Sequence, residues 1–138
     1  SFGFMGAAPA NQRRLTPMED STIQDLIHKL IAFRDERDWQ QFHNPKDLAA
    51  ALSIEAAELQ ELFLWKQPGA LDLDCPKQQE RLAEEVADVA AYLLMLCHEL
   101  KIDLPQALLS KIEKNAVKYP ADQVRGSAQK YSAYKAKD

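Results

Sequence analysis

Four carboxylates at helical spacing, Glu55 with Glu58 and Glu85 with Asp88, are the residues of this chain best suited to do chemistry. A separation of three puts both members of a pair on one face of an α-helix, one turn apart. Each pair is embedded in an Ala- and Leu-rich stretch, where an ionised carboxylate is hard to bury. Asp88 stands out because it lies mid-segment between Val86-Ala87 and Val89-Ala90, with no capping role to explain a poor helix former there. Two such helices side by side would direct four negative charges into one space, and these repel unless a cation sits among them. Oxygen donors without histidine or thiolate suit a hard divalent ion, magnesium or manganese, and that ion points to phosphate chemistry. The competing explanation is a pair of ordinary solvated helix faces, since glutamate is a good helix former. Spacing alone leaves both open for the four pair members, while Glu61, Glu80 and Glu84 read as solvated.

A di-iron centre in a helical bundle needs a Glu-x-x-His pair on each of two helices. Only Asp25 with His28 has a carboxylate three residues before a histidine; His43 and His98 do not. Zinc is disfavoured too, because Cys75 and Cys97 lack metal-ligand spacing. Two such cysteines suit a reduced, cytoplasmic chain, and Cys97, after the apolar run Tyr92–Leu96, reads as a buried inert thiol.

The elements that must position the carboxylates follow from periodicity and punctuation. With 138 residues, 46% of them hydrophobic, the chain is about one domain long. Its net charge of -4 argues against non-specific nucleic-acid binding, and no apolar run is long enough to span a membrane. Residues 1–17 read as a flexible leader or tag remnant, with Met18 a plausible native start. Strand-like alternation is absent and glycines number 4, which predicts an all-α fold. Ser21 with Gln24 forms a capping-box pattern opening a first helix that runs out near Trp39. Asn44-Pro45 opens a second, predicted to continue to about Lys66 before Pro68-Gly69. Pro76 begins a third, reaching about Leu100, and Asp103 with Gln106 opens a fourth over about Leu104 to Lys118. The expected architecture is a four-helix bundle over residues 18–120, with 121–138 a polar tail that is mobile or packed on a partner subunit.

With the pairs written out as Glu55-Ala56-Ala57-Glu58 and Glu85-Val86-Ala87-Asp88, the chain resembles the all-α nucleoside triphosphate pyrophosphohydrolases, the MazG-like superfamily. The flanks are similar to its dCTP pyrophosphatase branch: Arg37-Asp38-Trp39-Gln40-Gln41-Phe42-His43, Glu61-Leu62-Phe63-Leu64-Trp65-Lys66, Asp103-Leu104-Pro105, and Ser110-Lys111-Ile112 through Asn115 to Tyr119-Pro120. The resemblance covers about residues 20 to 120. Ile54 stands where many MazG-like proteins carry a further glutamate, a departure shared by the dCTP-type branch. Lys118 replaces the usual arginine before Tyr-Pro, a point charge in place of a guanidinium fork. Leu30 occupies the position of a histidine that touches the base in dCTP-type enzymes.

The resemblance implies hydrolysis of a nucleoside triphosphate, dCTP or a modified dCTP first, between the α and β phosphates, giving monophosphate and pyrophosphate. It implies magnesium (or manganese) on Glu55, Glu58, Glu85 and Asp88, with Glu55 or Glu58 activating water. Lys111, Asn115 and Lys118 are then expected on the departing pyrophosphate, and Trp39, Trp65 and Tyr92 around the base. Such proteins assemble as dimers or tetramers, so a homo-oligomer is expected. Two alternatives remain: a phosphoribosyl-ATP or dUTP hydrolase of the same superfamily, and a non-catalytic helical oligomer that senses nucleotides or binds a protein.

Overall fold

The structure is a computed structural model and describes residues 22–67 and 69–126. The first helix, α1 (Ile23–Asp35), opens on a reciprocal cap: Thr22 Oγ1 accepts from the Asp25 N–H, and Asp25 Oδ2 accepts from the Thr22 N–H, both at 3.1 Å. This box lies one residue later than the pattern predicted from Ser21, which falls outside the described residues. Gln24 instead bonds His28 Nε2 at 2.9 Å. α1 also stops earlier than Trp39. Asp38 takes a left-handed φ of 53°, and the Trp39 N–H folds back to the Arg34 carbonyl at 3.1 Å. A 3-10 turn, Gln40–Phe42, follows.

Asn44 caps α2 (Pro45–Glu61), accepting from the Asp47 N–H at 2.9 Å, with Pro45 in the first turn where its missing N–H is harmless. α2 ends five residues short of Lys66. The N–H groups of Leu62, Phe63 and Leu64 turn to carbonyls three residues back, at 3.2, 3.0 and 3.3 Å, and Trp65 adopts φ 64°. The chain thus tightens into 3-10-type turns and leaves the helix. α3 (Pro76–Leu100) has the limits expected from the sequence. It closes with Lys101 in the left-handed region and the Ile102 N–H on the Cys97 carbonyl at 2.9 Å, a Schellman-type ending. α4 (Leu104–Lys118) also matches, with Asp103 Oδ1 accepting from the Gln106 N–H at 3.1 Å. A short α5 (Ala121–Val124) occupies the start of the expected tail; the tail beyond residue 126 and the leader lie outside the described residues.

All described elements are helical, and none of these helices is long and apolar enough to cross a membrane. They fall into two compact units that divide between Ile102 and Asp103. The second holds α4 and α5, and no residue of either helix is buried. The first holds α1, α2 and α3, so three of the four helices expected in the bundle share one unit. α2 lies along α3, and α1 packs on α3. The core joins Leu48 of α2 to Ala91, Tyr92 and Met95 of α3, with Leu30, Ile31, Ala51, Leu52 and Leu96 against them. These residues recur at three- and four-residue steps, the apolar stripe of a core-facing helix. Residues 48–52 of α2 thus meet 91–96 of α3, while 61 and 62 lie with 81 and 82. The two helices are therefore antiparallel, and residues 55–58 come opposite residue 85.

A charged cluster ties the end of α1 to the end of α3. Arg34, only 3% exposed, donates through Nη1 to Glu99 Oε1 at 2.7 Å and through Nε to Asp35 Oδ1 at 3.0 Å. His43 is buried in the same region. Desolvation, and then the Arg34 charge, hold its pKa below the usual histidine range, partly offset by Glu99. Burying a neutral histidine makes the unfolded chain the better proton acceptor. Stability is therefore expected to fall as pH drops through about 6.5, and to fall less in His43→Gln, as read from urea unfolding at pH 7 and pH 5. Met95, 1% exposed at the centre of the core, tests the packing. Met95→Ala should lose about 2–5 kcal/mol in the same assay, because the cavity cannot fully collapse.

Candidate active site

The antiparallel α2–α3 pair brings Glu55, Glu58 and Glu85 together: one carboxylate oxygen from each lies within 4.8 Å of the others. Glu55 is 3% exposed, and Glu58 and Glu85 are half-buried. Desolvation raises the Glu55 pKa above the usual carboxylate range, and the negative charges of Asp88 and Glu85 raise it further. Asp88 is half-buried one turn beyond Glu85, close enough to act electrostatically on Glu55, though outside the three-oxygen cluster. Glu85 Oε2 is buried and accepts no hydrogen bond. A buried acceptor of this kind is unfavourable unless a cation or water supplies what the protein does not. Three converging carboxylate oxygens, with a fourth carboxylate beside them and no histidine or cysteine among them, fit a hard divalent cation.

Tyr92 follows Asp88 by one turn and belongs to the core cluster. Burial, then the charges of Glu55 and Asp88, push its hydroxyl pKa upward, so it stays protonated beside the carboxylates. Trp39 packs edge-on against Phe33, ring centroids 5.8 Å apart, with the Arg37 guanidinium 3.6 Å from the Phe33 centroid and 5.9 Å from that of Trp39. Its backbone bond to Arg34, which pairs with Glu99, places it near the C-terminal end of α3. Glu99 lies fourteen residues beyond Glu85, about 21 Å along the helix. Phe33, against which Trp39 packs, lines a hollow between α1 and α3 together with Leu30, Ala91 and Leu94. Trp65 is 94% exposed, just past the end of α2. Lys111, Asn115 and Lys118 follow one another along α4, all exposed, and belong to the second unit.

Sequence reasoning missed a cleft of about 170 Å³ on the first unit, between the end of α2 and the first turns of α3. Arg81 and Glu61 both line it. The signal was present in the spacing: Glu61 is one turn beyond Glu58, and Arg81 one turn before Glu85.

The chain matches the MazG-like family over residues 50–133, a span that contains all four carboxylates. This chain belongs to that family. It is 42% identical over 135 residues to mouse dCTP pyrophosphatase 1, covering 96% of this chain and 78% of the mouse protein. Against human dCTP pyrophosphatase 1 it is 40% identical over 129 residues, 91% of this chain and 74% of the human one. Among solved structures, a pyrophosphatase from Archaeoglobus fulgidus superposes with a TM-score of 0.61 at 40% identity, covering 73% of this chain and 94% of that one.

In this MazG-like chain the crowding of Glu55, Glu58 and Glu85 opposes folding, and a bound cation would relieve it. Without metal, Glu85→Gln should therefore raise stability by roughly 1 kcal/mol, several degrees in Tm for a chain of this size. Added magnesium should raise the Tm of the wild type and leave that of the variant nearly unchanged, because only a site that binds metal gains by linkage. Differential scanning calorimetry with and without the ion reads both effects.

Proposed function

We propose that this chain is a magnesium-dependent nucleoside triphosphate pyrophosphohydrolase that cleaves dCTP or a modified dCTP to the monophosphate and pyrophosphate, clearing the nucleotide pool. The observation that carries the proposal is the convergence of Glu55, Glu58 and Glu85 inside a chain about two-fifths identical to proteins named dCTP pyrophosphatase 1. The names of those relatives favour dCTP over phosphoribosyl-ATP or dUTP, and favour an enzyme over a non-catalytic oligomer.

Glu55, Glu58, Glu85 and Asp88 would hold the metal, which when bound would offset phosphate charge and make a neighbouring water more acidic. Water attacks the α phosphorus in line, the bridging oxygen to the β phosphorus leaves with pyrophosphate, and the proton of the attacking water passes to a carboxylate. Glu55 or Glu58 serves as that proton acceptor. Tyr92, kept protonated, can donate a hydrogen bond toward this charge-dense region.

Lys111, Asn115 and Lys118 recur at four- and three-residue steps on one face of α4 and bind the departing pyrophosphate. The exposed Leu108, Leu109, Ile112 and Val117 of α4 give a homodimer or homotetramer an apolar face to bury. Trp39 and Trp65 wall the base.

The direct test is pyrophosphate release from a panel of deoxynucleoside triphosphates, with and without magnesium. Turnover should require the ion and be fastest with dCTP. Asp88→Asn should lower kcat by about 100-fold or more with the circular dichroism of the folded helices intact. Wild-type-like turnover in that variant would remove Asp88 from the site.

A further inference from the structure

Arg34 is a costly residue to bury. It is 3% exposed in the last turn of α1, and its charge is met by Glu99 Oε1 at 2.7 Å and by Asp35 Oδ1 at 3.0 Å. Asp35 is half exposed to water, so its attraction is screened. Glu99, in the last turn of α3, is the closer and better shielded partner, and the one that reaches across from another helix. A buried guanidinium that loses such a partner has to be rehydrated, and the side chain draws its backbone toward water to achieve this.

The Arg34 backbone is also a node. Its carbonyl accepts from the Arg37 N–H and the Trp39 N–H, both at 3.1 Å. Between these two donors Asp38 takes a φ of 53°, a left-handed turn that is strained for a residue other than glycine and persists where its surroundings hold it. Beyond Trp39 the 3-10 turn closes on His43, which is buried and near enough to Arg34 and Glu99 to feel both charges. The segment is thus held at both ends to one ion pair. The Trp39 ring meets Phe33 edge-on, and Phe33 lines the hollow between α1 and α3. Phe33 precedes Arg34 in the chain, so a shift of Arg34 moves both supports of the Trp39 side chain.

Glu99 is no part of the carboxylate cluster. It stands eleven residues beyond Asp88, about 16 Å along α3. Any influence it has on the reaction passes through what it holds. In the sequence both Glu99 and Arg34 read as solvated charges at helix ends, and the pair joins residues 65 positions apart. We propose that Glu99 is a positioning residue: through its ion pair with Arg34 it holds the reversal that seats the Trp39 ring, and so sets how tightly the base of the substrate is gripped. The proposal rests on the reading above in which Trp39 walls the base, and it names the residue that keeps that wall in place.

The test removes the charge of Glu99 and keeps its shape. In Glu99→Gln, KM for dCTP should rise about fivefold or more, the scale of a lost aromatic–base stack, with kcat within about twofold of wild type. In a Trp39→Ala background the same substitution should leave KM within about twofold, because the two changes break one interaction. A residue that only stabilises the fold would not produce that non-additivity. Trp39 emission gives a readout without turnover. With Trp65 replaced by Phe, Glu99→Gln should shift the emission to longer wavelength and make it easier to quench with acrylamide, as the ring leaves its packing for water. Circular dichroism checks folding. Should Glu99→Gln unfold, Glu99→Asp, which keeps the charge one methylene further back, should show smaller changes in the same directions. An unchanged emission, an unchanged KM, or additive effects in the two backgrounds would overturn the proposal. If the wild type hydrolyses no triphosphate, the hydrolase reading fails separately. Calorimetric binding of dCMP then replaces KM: weaker binding in Glu99→Gln together with the emission shift upholds the positioning role, and the absence of either overturns it.

Discussion

Crowding of like charge at the α2–α3 interface is the constraint on which the rest of this protein depends. Glu55, Glu58 and Glu85 turn oxygens toward one another within 4.8 Å, with Asp88 one turn further on. Left to themselves, such groups repel and lose hydration, and both effects oppose the packing of the helices that carry them. The apolar stripe that joins Leu48 to Ala91, Tyr92 and Met95 supplies the opposing force and sits one to two turns from the carboxylates. The site is thus held closed by the core beside it and made useful by the charge the core confines. A cation among these carboxylates would relieve the conflict and so couple its binding to folding.

The same antiparallel register organises chemistry along the interface. Toward one end of α3 the contacts are apolar, in the middle they are acidic, and toward the loop they form a cleft of mixed character. The charged cluster of Arg34, Glu99 and His43 lies at the other end of α3 and fixes the chain that leads to Trp39. That aromatic residue is therefore anchored through its backbone and through its ring on Phe33. Family membership agrees with this arrangement, since the matched span includes both acidic pairs and the cleft between them.

Helix limits were legible where punctuation is chemical. Pro76, Asp103 and Pro105 mark ends that the structure reproduces for α3 and α4, because a missing N–H or a side-chain acceptor acts locally. The limits that differed lacked such marks. α2 stops at Glu61 instead of Lys66, as Leu62, Phe63 and Leu64 tighten into turns and Trp65 adopts a left-handed φ. α1 stops at Asp35 because Asp38 reverses the chain and Trp39 bonds back to Arg34. Neither reversal involves glycine, so neither leaves a trace in composition.

By itself the sequence determined the helical class, the two acidic pairs and their sharing of a helix face, since period and spacing are properties of a single helix. It also carried the family resemblance, which named a reaction. Only tertiary structure decided which carboxylates meet. That depends on the register of two helices separated by a loop, and three oxygens converge while Asp88 stands beside them. The seating of Arg34, to whose carbonyl Trp39 bonds back, was likewise decided by its pair with Glu99, a contact between residues far apart in the chain. The cleft holding Glu61 and Arg81 belongs to the same category. Each residue looked like an ordinary solvated charge on its own helix, and it took the packing of α2 against α3 to set an acceptor and a donor around one apolar floor.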